Sequence, residues 1–473
     1  MFLRPAAALL GVVVVSLVGL AQVAQDSERG AAIKRATEAV RSATALAASD
    51  PDRPAFHFHA PAQWINDPNG PIFYKGWYHL FYQFNPYGDQ WDHMHWGHAR
   101  SRDLLHWEDL PVALWPSESL GEHHVYSGST YLDRDGEPIA LYTSIGAPEP
   151  EQWGARPQDD EMVTWSKIPH VLRQADNGVE PIAEWRDPFM FELDGATHLL
   201  VGGGRHGRGG VFLYRAARPD LTAWKYEGEF FSDPDSDVPN IECPNIVRVD
   251  NHWVLFISVH GRVEWFTGDI AGGNFSPVKR GIAYSGSYAS QIYQHTHGRA
   301  LYTAWVPTQD HKGWNGFHTL PAELHVSGGG TLEISPCHEL RTLRKQEFTE
   351  AKGLDSGANR LSADGDQLEV EFTVEPGGSD PVELRLRGGS LVVTYDPRTR
   401  ELSAQGKSAV VSGDGKLHLD VFLDRTVVDV FASDGTAVCG RATHVASDQT
   451  SVELVLPAGN AHVSGLRSWS LSL

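Results

Sequence analysis

PIFYKGWYHLFYQF, residues 71–84, places two short apolar-aromatic runs on either side of Lys75-Gly76. Aromatic and β-branched residues around a glycine turn read as strand, turn, strand. The pattern returns in VYSGSTYLD (125–133), PFMFELDGATHLLVGG (188–203), IVRVDNHWVLFISV (246–259) and GRALYTAWV (298–306). No long helical period competes with it, so the stretch from His57 to about Ile334 is all-β.

Outward from this core the character changes twice. Residues 31–49 are Ala-rich with spaced charges, and Ile33 and Val40 share one side of a helix. The spacing predicts a short helix there. Asp50-Pro51-Asp52-Arg53-Pro54 then breaks it and reads as a linker. Residues 1–24 carry Arg4, an apolar run from Ala6 to Leu20 and small residues at Gly19, Ala21 and Ala24. That order predicts a secretory signal and an extracellular or periplasmic protein. Beyond the core, Leu368, Val370, Phe372 and Val374 alternate with polar residues, as do Leu417, Leu419, Val421 and Leu423. Strict alternation is the mark of a sheet with one buried face, as in a sandwich. The expected organisation is a signal at 1–24, an extension at 25–55, a first β domain at 56–335, a connecting segment at 336–350 and a β-sandwich at 351–473.

The formal net charge is −21. A surface this acidic repels phosphate backbones and anionic lipid, which excludes nucleic acid and, once the signal is removed, membrane as partners. Cys243, Cys337 and Cys439 are too few and too widely spaced for a disulfide framework or a cysteine metal site, and read as free, mostly buried thiols.

Three segments of the core place a carboxylate where a plain strand does not need one. They are WINDPNG (64–70) with Asp67, EWRDP (184–188) with Asp187, and IECP (241–244) with Glu242. The first two acids are 120 residues apart and the next two 55. A propeller blade takes roughly 40–50 residues, more with longer loops. A unit slightly longer than that puts Asp67 in the first blade, Ser127 in the second, Asp187 in the third and Glu242 in the fourth, and fits five blades into the domain. Inner strands of a propeller converge on one axis, so the three acids can share one pocket. Two carboxyl groups flanking a glycosidic bond are the minimum for its hydrolysis. Arg186 beside Asp187 is expected to keep that acid ionised, and the apolar neighbours of Glu242 to favour its protonated form.

These motifs resemble glycoside hydrolase family 32, the invertase, levanase and inulinase family, over about Phe56 to Leu471. The resemblance implies an all-β chain: a five-bladed β-propeller followed by a C-terminal β-sandwich. It implies a retaining β-fructosidase acting on sucrose or on fructans such as levan and inulin, with the QW…MHWGHA segment favouring exo action. By the same resemblance Asp67 takes the position of the nucleophile, Glu242 of the general acid/base and Asp187 of the transition-state stabiliser. Asn66, Gln83, Trp91, Ser127, Arg186 and Trp305 are implied to line the fructose pocket. No cofactor and no metal are implied. DVFLDRTVVDVFASDGTA (420–437) resembles the family's sandwich motif. The chain departs from the family pattern at Ala322 (usually Arg), Asn245 (often Asp) and Asp429 (usually Glu), and SGSYASQIYQHT (285–296) matches only loosely. Three other readings stand beside this one: a fructosyltransferase on the same scaffold, an inverting propeller glycosidase acting on arabinan or xylan, and a propeller that only binds sugar. In HMHWGH (93–98), strand alternation would put His93 and His95 on one face, but the resemblance implies a segment near the pocket rim that needs no metal.

Overall fold

The computed structural model describes residues 7–146, 148–178, 180–233, 237–350, 354–412, 415–458 and 461–473. Among them, five sheets of four or five strands follow one another from Gln63 to Pro336. Their first strands are Gln63–Tyr74, His124–Leu132, Ala183–Leu193, Glu242–Val249 and Tyr288–Ile292. Each packs against the first strand of the next sheet, and the last closes on the first. This is a propeller with its first strands around the axis.

Burial follows from that placement. The inner strands are covered on both faces and are buried along most of their length, polar residues of the cavity included. The outermost strand Asn274–Ile282 is almost wholly exposed and correspondingly polar. The ring is closed by a late segment, Trp314–Asn315, which pairs in parallel with Gln63 and Trp64 of the first sheet.

Two six-stranded sheets form the sandwich. Its first strand, Arg344–Phe348, lies within the stretch read from sequence as a connecting segment and pairs with His462–Leu471. Period-two alternation is used twice over here. In Leu417–Asp424 and Val427–Ala432, residues such as Val421, Leu423, Val428 and Val430 fill the sandwich core. Phe422, Val427 and Phe431 point the other way and join the apolar core of the propeller. The two domains therefore share buried surface. Asp424 and Asp429 alternate in step with this second set and are fully buried.

The N-terminal helix is longer than the sequence predicts. It runs from Ala7 to Ala48, with Ala36 and Ala47 buried against the propeller. Arg4, part of the signal reading, lies outside the described residues. No helix among the described residues is long and apolar enough to cross a membrane.

Candidate active site

Each inner strand carries one extra residue relative to its partner near the same end. The irregularities fall between Ile65 and Pro68, Val125 and Gly128, Arg186 and Phe189, Glu242 and Asn245, and Tyr288 and Gln291. A bulge of this kind re-aims side chains and bends the strand. Repeated around the ring, it turns Asn66, Asp67, Tyr126, Ser127, Arg186, Asp187, Glu242, Cys243 and Tyr288 into one cavity of about 330 Å³. Asp187 and Cys243 adopt left-handed backbone angles, φ 63° and 46°, which place their neighbours on the cavity side of the bulge. Two glycines make the close approach of the strands possible. A Cβ on Gly70 would collide with Thr130 of the next sheet, and one on Gly128 with the Leu141 carbonyl.

Every residue singled out from sequence lines this cavity: Asp67, Asp187, Glu242, Asn66, Gln83, Trp91, Ser127, Arg186 and Trp305. Asp67 accepts hydrogen bonds from Ser127 Oγ at 2.6 Å and from Asn66 Nδ2 at 3.0 Å. Asn66 is itself fixed, accepting from Trp64 Nε1 at 2.8 Å. Burial lowers the His318 imidazole to about 4, so it is neutral and donates from Nε2 to the Asn66 carbonyl at 2.9 Å. Gln83 donates to the Val125 carbonyl at 2.9 Å. Trp91 is 47 % exposed at the rim and stacks on His124. Burial pushes the Asp67 carboxyl upward, opposed by the Ser127 and Asn66 hydrogen bonds and reinforced by the charge of Glu242.

The expectation for Asp187 is overturned, and Glu242 has other neighbours than those expected. Asp187, expected to be kept ionised by Arg186, is pushed up to about 7. Burial is the largest cause and outweighs Arg186, and the charges of Asp67 and Glu242 add to it. The guanidinium is turned elsewhere: its Nη2 donates to Glu242 Oε1 at 2.5 Å and its Nη1 to Glu184, leaving only Nε within 3.9 Å of Asp187. Glu242, expected in apolar surroundings, instead has two polar partners. They are Arg186 and the Tyr288 hydroxyl, which donates to Oε2. Burial and the charge of Glu242 raise the Tyr288 phenol far above its ordinary value, so it stays a donor.

Four lining residues were not anticipated: Tyr126, Glu184, Cys243 and Tyr288. Cys243, read from sequence as a free, buried thiol, lies between two of the acids. Its N–H donates to Asp187 Oδ2 at 2.9 Å, and its sulfur is 3.5 Å from Asp67 Oδ2 and 3.6 Å from Asp187 Oδ2. Burial first, and then the carboxylates, hold the thiol well above its ordinary value, so it is a neutral S–H. Tyr126 and Tyr288 sit on strands equivalent to those of the acids, which is the one sequence signal for them. HMHWGH forms no cluster: His98 stacks on Phe81 and faces His79, and His93 is exposed on the rim. Asn245 turns away from the cavity to the Cys243 and Ser290 carbonyls. Ala322 is buried, and Asp429 binds His57 at the domain boundary.

Sequence comparison meets the same architecture. The N-terminal-domain profile of Glycosyl hydrolases family 32 matches residues 57–336, and the C-terminal profile matches residues 339–470. A levanase of Bacillus subtilis is 30 % identical over 486 residues, covering 87 % of this chain and 69 % of that protein. A sucrose-6-phosphate hydrolase of Zymomonas mobilis is 30 % identical over 438 residues, covering 80 % of this chain and 84 % of that one. Among solved structures, fructan 1-exohydrolase IIa of Cichorium intybus superposes with a TM-score of 0.79 at 23 % identity, over 89 % of this chain and 98 % of its own. Matched across both domains, the chain belongs to glycosyl hydrolase family 32 and is a glycosidase.

Proposed function

We propose that this glycosidase is a retaining β-fructosidase that releases fructose from the ends of sucrose or fructan chains. The observation that carries the reading is the convergence of Asp67, Asp187 and Glu242, from the first, third and fourth sheets, on one cavity. In this reading Asp67 attacks the anomeric carbon of the fructosyl unit while Glu242 protonates the departing oxygen. Water activated by Glu242 then releases fructose from the covalent intermediate, with the two carboxyl groups about 5–5.5 Å apart. Asp187 holds sugar hydroxyls as the ring flattens toward the oxocarbenium ion.

The charge of the lining favours neutral sugars. Arg186 is its one Lys or Arg, and it is already shared between Glu184 and Glu242. A sugar phosphate would bring further negative charge to four carboxyl groups, so sucrose and fructan fit better than a phosphorylated disaccharide. The charged start and apolar run of residues 1–24 support export of the enzyme to where such polymers occur.

Incubation with sucrose, inulin and levan, followed by chromatography over time, tests the reading. Fructose alone from the first time point is expected. Early oligosaccharides would replace exo with endo action, products longer than the donor would indicate transfer, and no product would reduce the chain to a sugar-binding propeller. In dilute methanol a retaining enzyme yields methyl β-fructofuranoside; the α anomer would overturn the double displacement.

A further inference from the structure

The turn that leaves the N-terminal helix lies where the propeller meets the sandwich, and it carries Asp50 and Asp52. Asp50 Oδ2 accepts from Trp314 Nε1 at 2.9 Å and lies 3.0 Å from His311 Nδ1. Asp52 is 2 % exposed. Its N–H donates to Asp50 Oδ1 at 2.9 Å, its Oδ2 accepts the His444 N–H at 2.6 Å, and its carbonyl accepts the Thr426 hydroxyl at 3.0 Å. Its Oδ1 is buried with no donor among the described residues. The nearby guanidinium of Arg387 does not answer it, being bonded to the carbonyls of Gln449, Arg425 and Ala446.

A buried carboxylate oxygen without a donor is unfavourable unless something positive meets it. One ligand atom from each of Asp50, Asp52 and His311 lies within 4.8 Å of the others. Neighbouring ligands of a tetrahedral cation at ~2.1 Å stand about 3.4 Å apart, a spacing this cluster can reach by side-chain rotation. The imidazole is also supported from behind. Its Nε2 faces Asp310 Oδ1 at 3.5 Å, and Arg441 holds that carboxylate at 3.1 Å. A carboxylate behind a histidine fixes the ring and its tautomer and presents the other nitrogen to a metal.

We propose that Asp50, Asp52 and His311 bind a divalent transition-metal cation of the Zn²⁺ or Mn²⁺ kind, with water completing its shell. Imidazole among the ligands favours these ions over Ca²⁺ and Mg²⁺, which prefer all-oxygen sets. The site is separate from the sugar cavity and from HMHWGH. It joins the helix exit to His311 of the propeller, with Asp52 anchored on the sandwich through its carboxylate at the His444 N–H and its carbonyl at the Thr426 hydroxyl. Its role is to staple the three parts together, and it does not depend on the identity of the sugar substrate.

The test uses tag-free, full-length protein stripped with a chelator and titrated with ZnCl₂ and MnCl₂ by calorimetry, with thermal unfolding followed in parallel. One saturable equivalent is expected, with a rise in Tm that the chelator reverses. Asp52→Asn and His311→Gln are expected to weaken binding by at least about tenfold, and Asp310→Asn by about tenfold through the imidazole. Absence of saturable uptake by the wild-type chain overturns the proposal. So does equal binding by Asp52→Asn or His311→Gln, or tighter binding of Ca²⁺ or Mg²⁺. Should Asp52→Asn fail to fold, the wild-type titration and His311→Gln decide.

Discussion

Arg186 Nη2 lies 2.5 Å from Glu242 Oε1, a contact that crosses from one propeller sheet to the next. The same guanidinium holds Glu184 and approaches Asp187 at 3.9 Å. One planar cation thus sets the positions of acids on two strands.

A lysine cannot reproduce that fork, because its ammonium is a single point of charge on a flexible stem. Arg186→Lys should keep the fold and lower kcat/KM by ~100-fold through misplacement of Glu242. Steady-state kinetics on sucrose with a far-ultraviolet circular dichroism control measures it; kinetics like the wild type would remove Arg186 from the site's machinery.

Asp67→Ala should abolish turnover without unfolding the chain, since the side chain faces the cavity and Asn66 stays held by Trp64 Nε1. Glu242→Gln should spare fructosyl fluoride far more than sucrose, because a good leaving group needs little protonation. Equal losses on both substrates would show that Glu242 is not the proton donor.

Burial raises the Asp187 carboxyl from 3.8 to about 7. The folded chain therefore holds this proton more tightly than the unfolded chain. The associated stability is complete below about pH 4 and is lost as pH rises through about 7. Asp187→Asn removes the ionisation, so its Tm should exceed the wild-type value at pH 8 and approach it toward pH 4, while turnover falls ~100-fold or more. Thermal unfolding across that range checks the sign, and a pH-independent Tm difference would contradict it.

His57 joins the domains. Its ring lies 2.8 Å from Asp424 and 2.8 Å from Asp429, all three side chains fully buried. Burial alone would lower its pKa, but Asp429 and Asp424 prevail and raise it from 6.5 to about 9. Stability from this raised group is complete below about pH 6.5 and lost as pH rises through about 9. His57→Ala leaves two buried acids without their cation and should cost about 3–5 kcal/mol. Urea unfolding at pH 6 and at pH 10 measures both effects; a wild-type midpoint that ignores this interval would show that the imidazole stays neutral.

Trp91→Ala should leave Tm nearly unchanged, because the indole is 47 % exposed and meets the rings of His124 and Tyr126 at the rim. It should raise KM for sucrose ~10-fold by removing an aromatic face from the mouth of the cavity. An unchanged KM on both sucrose and levan would exclude Trp91 from the sugar's path.

The sequence by itself determined the alternation that makes the chain all-β, the propeller followed by a sandwich, and the three acids in WINDPNG, EWRDP and IECP. Those features are local: a strand, a turn or a short motif is written in neighbouring residues, and blade spacing carries it around the axis. Only the tertiary structure decided what surrounds each acid. Arg186 leans toward Glu242 rather than its own neighbour Asp187, Cys243 slips between Asp67 and Asp187, and Tyr288 arrives from the last sheet. The same holds for His57 between Asp424 and Asp429, partners more than 360 residues distant in sequence. A carboxyl group's proton affinity depends on burial and on charges within a few ångströms, and in a closed ring of sheets those come from distant parts of the chain.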